Sequence, residues 1–153
     1  MPQAMTITGT RSTGHRAAHE YRALFEEYVR PFARRGARFH LGGAKGIDSL
    51  ALLWLADETE ADLIVAVPAK LADQPPAARD AVAAARAAGR LGELVELGGE
   101  PRTPGYHARN RWMVDRSDFV IGFPRAGADA SSGTAYTLAY AAERGLPRLI
   151  VPI

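Results

Sequence analysis

The sequence lacks cysteine, has few lysines and contains no long apolar run. Without cysteine there can be no disulfide, no thiol nucleophile and no thiolate metal site. No stretch approaches the roughly 20 apolar residues of a membrane-spanning helix. The first residues also lack the charged and apolar segments of a secretion signal. We therefore expect a cytoplasmic protein with no membrane partner.

Metal ligands are also scarce. Of the four histidines, His15 and His19 stand four residues apart, as zinc ligands on a helix can, but the glutamate of an HExxH motif is missing. The polar face of a surface helix is the simpler interpretation of this pair. The sequence accordingly predicts neither a metal site nor a cofactor.

Positive charge is carried almost entirely by arginine. Lys45 and Lys70 are the only lysines among 19 basic residues, and the net charge is +2. Because a guanidinium matches phosphate well, a preference for anionic ligands would explain this usage. Biased codon composition would also explain it, and composition leaves both explanations open.

Segments typical of strands and of helices alternate along the chain. Apolar and β-branched runs predict strands at 4–9, 37–43, 62–68, 93–99, 118–124 and 147–153. Periodicity and terminal glycines or prolines predict helices at 15–36, 46–59, 75–89, 106–117 and 134–145. This alternation predicts a single doubly wound, Rossmann-like α/β domain over 1–153, with a mainly parallel sheet covered by helices on both faces.

Three glycine-containing turns, at 9–15, 42–49 and 127–134, each follow or end near a predicted strand. In open α/β sheets, ligands bind outside the carboxyl ends of the strands, where the strand order reverses. If the sheet brings these turns together, their backbone amides and the helix N-termini would form one anion-binding crevice.

The turn GGAKGIDS at 42–49 combines three glycines with a cation and an anion. Gly42, Gly43 and Gly46 would let a ligand approach the backbone, and Lys45 would add positive charge. Asp48 is expected to meet a ribose hydroxyl or to cap backbone amides, because it would repel a phosphate at the same helix end. A tight turn with a capping aspartate and no ligand is an equal alternative.

The other two turns also carry residue types that suit phosphate. The candidates are Gly9 and Arg11 after the first strand, and Ser132, Gly133 and Thr134 at the start of the last helix. Arginine can hold a phosphate with two hydrogen bonds, and hydroxyls beside a glycine amide suit an anion. A solvated loop arginine and ordinary helix capping are the alternatives.

The predicted helix 106–117 places His107, Arg109, Asn110 and Arg111 in its first turns. Cations near a helix N-terminus oppose the helix dipole, so they are a poor choice for stability. We therefore predict a ligand role within this group and take Arg109 and Asn110 as the candidates. A solvent-exposed polar face is the alternative.

The order of these motifs resembles the SLOG superfamily over residues 5–152. Within it, GGAKGIDSLA is similar to the GGARGIDxxA turn of the DNA-processing protein A (DprA/Smf) family. The ending SSGTAYTLAYAAERGLPRLIVP resembles that family's SGSxxTAxxAxxxGRPVxxVP pattern. The resemblance implies a Rossmann core in a family that protects single-stranded DNA, generally in a longer chain.

The same superfamily contains the Lonely Guy phosphoribohydrolases, which split a base from a nucleoside monophosphate. Arg109 resembles the catalytic arginine of their arginine–lysine pair, while Asn110 replaces the lysine. Thr137 stands where that family carries its catalytic glutamate, and an N-glycosidase needs a carboxylate. Asp48 or Asp129 would have to substitute, so enzymatic activity is an open alternative.

The leading expectation is a stand-alone nucleotide-binding or nucleotide-sensing SLOG protein whose partner is a nucleotide or a nucleotide-derived small molecule. The alternatives are a phosphoribohydrolase and a DprA-like binder of single-stranded DNA, which would need a basic groove with stacking aromatics. We also expect a homo-oligomer, because the superfamily commonly forms dimers and the predicted helix 46–59 is more apolar than one buried face requires.

Overall fold

The computed structural model describes residues 1–128 and 132–153 of the chain. The strands are β1 (Ala4–Gly9), β2 (Arg38–Leu41), β3 (Asp62–Val67), β4 (Leu91–Glu96), β5 (Phe119–Phe123) and β6 (Arg148–Ile150). The helices are α1 (Ala18–Tyr28), α2 (Ile47–Glu58), α3 (Pro76–Ala87), α4 (Thr103–Asp115) and α5 (Gly133–Glu143). Short 3-10 helices lie at Arg30–Phe32 and Leu71–Asp73.

The six strands form one parallel sheet in the order β4-β3-β2-β1-β5-β6. The chain moves outward from β1 to β4 and then crosses back to place β5 on the other side of β1. Met5 in the central strand is therefore paired with Phe39 of β2 on one side and Phe119 of β5 on the other. The predicted doubly wound α/β fold is confirmed, and the strand order reverses between β1 and β5.

Alternate side chains of β5 enter two separate apolar clusters. Ile121 and Phe123 pack in the cluster that includes residues of α1, α2 and α3, whereas Val120 packs with residues of α4 and α5. Because neighbouring strand residues point to opposite faces, the two groups of helices cover opposite faces of the sheet. Both faces are therefore covered, as the sequence predicts.

Two helices have bounds that differ from the prediction. The predicted helix 15–36, which Pro31 was expected to kink or end, is shorter, since α1 runs from Ala18 to Tyr28 and Pro31 lies in a 3-10 helix after it. α4 begins at Thr103 instead of 106, because Pro104 fits the first turn of a helix, where no intrahelical partner is needed for its nitrogen. Arg109 consequently lies in the second turn of α4, where the helix dipole opposes a cation less than at the N-terminus.

The apolar character of α2 has an explanation inside the molecule. α2 packs against α1 and α3 as well as against β1 and β3, so most of its circumference is buried. Leu53 is its one large apolar side chain that stays exposed, at 41%. The apolarity that suggested self-association is thus used within the domain, and oligomerisation stays a prediction. Within the described ranges, no helix has the length and apolarity needed to cross a membrane.

Candidate functional site

A cavity of about 350 Å³ opens at the carboxyl ends of β1 and β5, where the strand order reverses. One side is formed by α4 and another by the first turn of α5. The sequence-predicted candidates that line it are Gly9, Arg11, Asp48, Arg109, Asn110, Ser132, Gly133 and Thr134. The sheet therefore brings together candidates from all three glycine turns and from α4.

The N-terminus of α5 presents backbone N–H groups at the cavity. The hydroxyl of Ser132 accepts a hydrogen bond from the N–H of Ala135 at 3.1 Å, which caps the helix. Gly133 and Thr134 come next and line the cavity, and the first N–H groups of a helix have no partner within it. A Cβ added at Gly133 would meet no heavy atom of the described residues within 4 Å. An anion at this helix end would therefore displace none of the described protein atoms.

Arg109 and Asp48 form a buried pair of opposite charges in the cavity wall. Arg109 is 3% exposed, and its guanidinium donates to the carbonyl oxygen of Gly42 at 3.0 Å and to Oδ1 of Asn110 at 2.7 Å. Burial lowers the pKa of Arg109, while the nearby Asp48 carboxylate opposes that shift. These contacts hold the guanidinium of Arg109 in one orientation before any ligand binds.

Asp48 is the acidic group that the described residues bring to the cavity, and its pKa is raised to about 6 because it is buried. The guanidinium of Arg109 is the strongest influence in the opposite direction, followed by a backbone hydrogen bond from Ala44. Arg11 and a backbone hydrogen bond from Gly42 also favour the carboxylate. A carboxyl group with a pKa near neutrality can accept or release a proton under physiological conditions.

The glycines of the 42–49 turn have close neighbours inside the protein. A Cβ at Gly42 would lie 2.8 Å from Cζ of Arg109, and a Cβ at Gly43 would lie 2.7 Å from Cγ1 of Val67. Gly46 has a φ of +81°, and its Cβ would lie 2.5 Å from the carbonyl oxygen of Thr10. These three glycines do not line the cavity as the described residues define it. The turn is tight because the guanidinium, β3 and the β1 loop all approach it.

The N-terminus of α2 is also occupied by protein. The N–H of Ile47 donates to the carbonyl oxygen of Thr10 at 3.1 Å, and a Cβ at Gly9 would lie only 2.5 Å from Cβ of Ile47. The sequence suggested that amides at this helix end point toward a ligand. The structure instead joins the loop after β1 to the start of α2, so the cavity is reached by the N-terminus of α5 and not by that of α2.

A second, smaller cavity of about 230 Å³ adjoins the first. Lys45 lines this one, together with the segment Asp73–Pro75. Arg11, Ala44 and Tyr106 line both cavities. The guanidinium carbon of Arg11 lies 4.8 Å from the ring centroid of Tyr106, which is a cation–π contact. This pair therefore stands at the boundary between the two spaces.

Several residues of the site were not predicted as candidates. Thr10, Ser12, Thr103 and Arg125 line the larger cavity, and so do Tyr106 and His107 of α4. Arg125 comes two residues after β5, as Arg11 comes two residues after β1. Its position after a strand could therefore have identified it as a candidate from the sequence. Thr103 gave no signal, because the sequence placed the start of α4 three residues too late.

The position expected to hold a hydrolase glutamate does not face the cavity. Thr137 is fully buried, and its hydroxyl donates to the carbonyl oxygen of Gly133 within α5 at 2.9 Å. Asp129, the other carboxylate considered, lies outside the described residues. Asp48 is therefore the carboxylate that the described part of the chain brings to the cavity. Among those same residues, no group of three or more histidines or carboxylates is placed to hold a metal ion.

No family model and no curated protein matches the sequence. Among solved structures, DNA processing protein A from Helicobacter pylori, described by its single-stranded DNA binding mode, matches with a TM-score of 0.69 and 23% identity. DNA processing protein A from Streptococcus pneumoniae matches with a TM-score of 0.69 and 22% identity. The fold of this chain is similar to that of DNA processing protein A.

The match covers 99% of this chain and 66% of the Helicobacter protein, and 98% of this chain and 50% of the Streptococcus protein. The chain thus spans about two thirds of one DNA processing protein A and half of the other. At these identities the likeness establishes the fold. The predicted DprA-like core is confirmed at that level, while the link to the Lonely Guy enzymes stays a prediction.

Proposed function

We propose that this protein binds a nucleotide or a nucleotide-derived phosphate compound in the larger cavity. The observation that carries the proposal is the accessible N-terminus of α5 facing a cavity that also contains Arg11 and Arg125. A phosphate at Gly133 and Thr134 receives backbone hydrogen bonds, the helix dipole and these two guanidinium charges. The amides thus recognise the phosphate, and the arginines strengthen its attraction.

The buried Arg109–Asp48 pair supports recognition of the sugar. The Asp48 carboxylate would repel a phosphate placed directly on it, but it accepts hydrogen bonds from hydroxyl groups. Arg109 is held by Gly42 and Asn110, so the pair is preorganised before a ligand arrives. We therefore assign the phosphate to the α5 side of the cavity and a sugar hydroxyl to Asp48.

The experiment that tests this proposal compares two glycine substitutions. Gly133→Ala places a methyl group where no atom of the described residues lies within 4 Å, and where it would meet the phosphate. We expect this variant to keep its thermal stability and to lose at least about tenfold in nucleotide affinity, the loss of one hydrogen bond to a charged group. Gly14→Ala is the matched control, because its added Cβ also has no neighbour within 4 Å but lies outside the cavity lining.

Binding is measured by calorimetry and by the rise in melting temperature with nucleoside mono-, di- and triphosphates. A ligand at a hundredfold excess over its Kd stabilises the native state by about 2.7 kcal/mol. If Gly133→Ala and the parent protein bind nucleotide with equal affinity, the phosphate does not bind at the N-terminus of α5. No binding of any nucleotide would refute the proposal as a whole.

Single-stranded DNA is the second candidate ligand. The segments that follow five neighbouring strands each carry a cation at the carboxyl edge of the sheet, namely Arg102, Lys70, Lys45, Arg11 and Arg125, in the order β4 to β5. The structural similarity to a protein described as binding single-stranded DNA adds support. Against it, Arg102 lies near Glu100, with Nε 3.5 Å from Oε2, so part of this charge is compensated.

Salt dependence separates the two candidates. Binding of an oligonucleotide releases counterions, so log K falls with log salt with a slope of about −0.7 for each phosphate that the protein contacts. A mononucleotide held at one helix end contacts a single phosphate group and should give a shallow slope. A steep slope with an oligonucleotide, together with no mononucleotide binding, would favour the DNA candidate.

Hydrolysis is tested in the same mixtures by chromatography for released base. The observation that keeps this activity under consideration is the Asp48 carboxyl group, which lines the cavity and has a pKa of about 6. Asp48 would then act as the acid or base, and Arg109 would hold the substrate. Free base formed by the parent protein but not by Asp48→Asn would establish the reaction, whereas intact nucleotide after long incubation would exclude it.

A further inference from the structure

We propose that the ligand extends past Arg11 and Tyr106 into the second cavity, so that the site takes a dinucleotide, meaning two nucleoside units joined through phosphate. This inference rests on the proposed function, because it assumes that one nucleotide occupies the larger cavity. It goes further by naming the class of ligand and by assigning a role to Lys45, which does not line the larger cavity.

The first step of the argument is that the two cavities adjoin. Arg11, Ala44 and Tyr106 line both of them, so these three residues form a boundary that the two spaces share. The larger one, at about 350 Å³, lies near the lower end of the range of small-molecule sites, roughly 300–1,000 Å³. The additional 230 Å³ beyond the boundary provides room for a second unit of the ligand.

The second step concerns the boundary itself. Tyr106 is held in place, since its hydroxyl donates to the carbonyl oxygen of Pro101 at 2.9 Å. Arg11 is exposed and rests on the Tyr106 ring, and its guanidinium makes no ion pair with any residue in the described ranges. Its donors are therefore available to a phosphate that links two nucleosides, while the tyrosine ring offers a surface for a base.

The third step concerns the second cavity, which has one wall fixed by a hydrogen bond and charged side chains of both signs. Gln74 is 7% exposed, and its side-chain nitrogen donates to the carbonyl oxygen of Gly43 at 2.6 Å, which fixes one wall. Lys45 is exposed at the rim and gives this space a positive charge. Asp73 is also present, and its carboxylate accepts a hydrogen bond from the N–H of Lys70. A second unit with hydroxyl and phosphate groups matches this mixture of charges.

The two lysines of the chain provide a matched test. Lys45→Gln removes a cation from the second cavity, whereas Lys70→Gln removes one that lines neither cavity. Both lysines are exposed, so both variants should fold, which circular dichroism and melting temperature verify. The probes are AMP, the 5′-phosphorylated 3′–5′ dinucleotide of adenosine, and the 5′–5′ pyrophosphate-linked dinucleotide of adenosine, each titrated by calorimetry.

We expect one of the dinucleotides to bind at least about tenfold more tightly than AMP, the effect of one further hydrogen bond to a charged group. Lys45→Gln should bring that dinucleotide close to the affinity of AMP and leave AMP unchanged, and Lys70→Gln should change neither. The linkage that binds more tightly identifies the form of the dinucleotide.

Equal binding of AMP and both dinucleotides would overturn this inference and leave the proposed function intact. Equal effects of Lys45→Gln and Lys70→Gln on dinucleotide binding would also overturn it, because the second cavity would then make no specific contact. Failure of all three probes to bind, together with no binding of the nucleoside mono-, di- and triphosphates, would refute both this inference and the proposed function. The first two results leave mononucleotide binding in place and the third does not, so failure of this inference can be told from failure of the proposed function.

Discussion

At the scale of single residues, the glycines of the site differ in what surrounds them. Gly46→Ala would force a methyl group to within 2.5 Å of a carbonyl oxygen at a φ of +81°. We expect its free energy of unfolding to fall by about 2 kcal/mol or more, since a sparsely populated positive-φ backbone conformation costs a residue with a Cβ roughly 1–3 kcal/mol and overpacking costs roughly 1–3 kcal/mol. Urea denaturation measures the loss, with Gly133→Ala as the control that should not lose stability.

Comparing Gly46→Ala with Gly133→Ala also distinguishes two roles for the turn at 42–49, close packing within the protein and direct contact with the ligand. A Gly46→Ala protein that kept its stability and lost nucleotide binding would show that the turn serves the ligand directly. The sequence alone could not distinguish these roles. The neighbours of Gly42, Gly43 and Gly46 come from α4, β3 and the β1 loop, and their approach is fixed only by tertiary packing.

Asp48 should make stability depend on pH in an unusual direction. Its pKa is raised to about 6 in the folded protein from an ordinary value of 3.8. Between these values the unfolded chain releases the proton and the folded protein keeps it, so this contribution to stability falls as the pH rises. The shift of about two pKa units corresponds to about 3 kcal/mol, fully present below pH 4 and lost once the pH passes through 6.

The measurement is the free energy of unfolding of the parent protein minus that of Asp48→Asn, between pH 4 and pH 7. We expect this difference to decrease by about 2 kcal/mol over the range, because part of the full effect is already lost at pH 4. Asp57→Asn on the same helix is the control, because the Asp57 side chain is 67% exposed. A difference that is flat, or that rises with pH, would mean that Arg109 outweighs burial at Asp48.

At the scale of elements, Arg90 ties the start of β4 to the end of α2. Its guanidinium donates to the carbonyl oxygens of Ala56, Thr59 and Ala61 at 3.3, 2.8 and 2.8 Å. The last carbonyls of a helix lack intrahelical partners, and a cation there also favours the helix dipole. One half-buried side chain thus satisfies one of the last carbonyls of α2 and two carbonyls of the segment that follows the helix.

Arg90→Ala should therefore cost about 1.5–3 kcal/mol of unfolding free energy, the range for a hydrogen bond to a charged group. Arg86→Ala, which removes an exposed arginine from the neighbouring α3, should cost much less. Hydrogen exchange should localise the effect of Arg90→Ala to the last turn of α2. Equal losses in the two variants would contradict this account.

The bounds of elements were predictable where local signals mark them. Gly46 before α2 and the proline-rich start of α3 placed both helices within one or two residues. The start of α4 at Thr103 lies three residues before the predicted 106, because Pro104 suits a first helical turn. With a start at 106, Arg109 is predicted to lie in the first turn of α4 instead of the second. Its burial beside Asp48 depends on long-range packing, for which the sequence offers no local signal.

At the scale of the whole molecule, the alternation of strands and helices predicted the fold class but not the strand order. The crossing from β4 to β5 places β5 beside β1, and this pairing joins residues more than 100 positions apart. Because nothing local encodes that pairing, the sequence could predict a crevice at the carboxyl edge without choosing its strands. The structure selects β1 and β5, and with them the N-terminus of α5.

The apolar cluster on the face of the sheet that α1 and α2 cover is centred on an aromatic group around Phe25. Phe25 of α1 is 1% exposed, with its ring centroid 5.9 Å from that of Trp54 in α2 and 5.6 Å from that of Phe123 in β5. Phe123 also accepts a hydrogen bond from the N–H of Thr10 at 3.0 Å, at the base of the larger cavity. Phe25 therefore joins two helices to the strand that supports the site.

Phe25→Ala should lower the free energy of unfolding by about 3–5 kcal/mol, the usual cost of removing a buried aromatic side chain. Phe32→Ala is the control, because Phe32 is only half-buried and packs on Phe119 near the opposite end of β5. Urea denaturation followed by tryptophan fluorescence measures both, and an unchanged m-value would show that the loss is one of stability. If Phe32→Ala lowers the free energy of unfolding as much as Phe25→Ala does, the packing of Phe25 against α2 and β5 has no special weight in the stability of the domain.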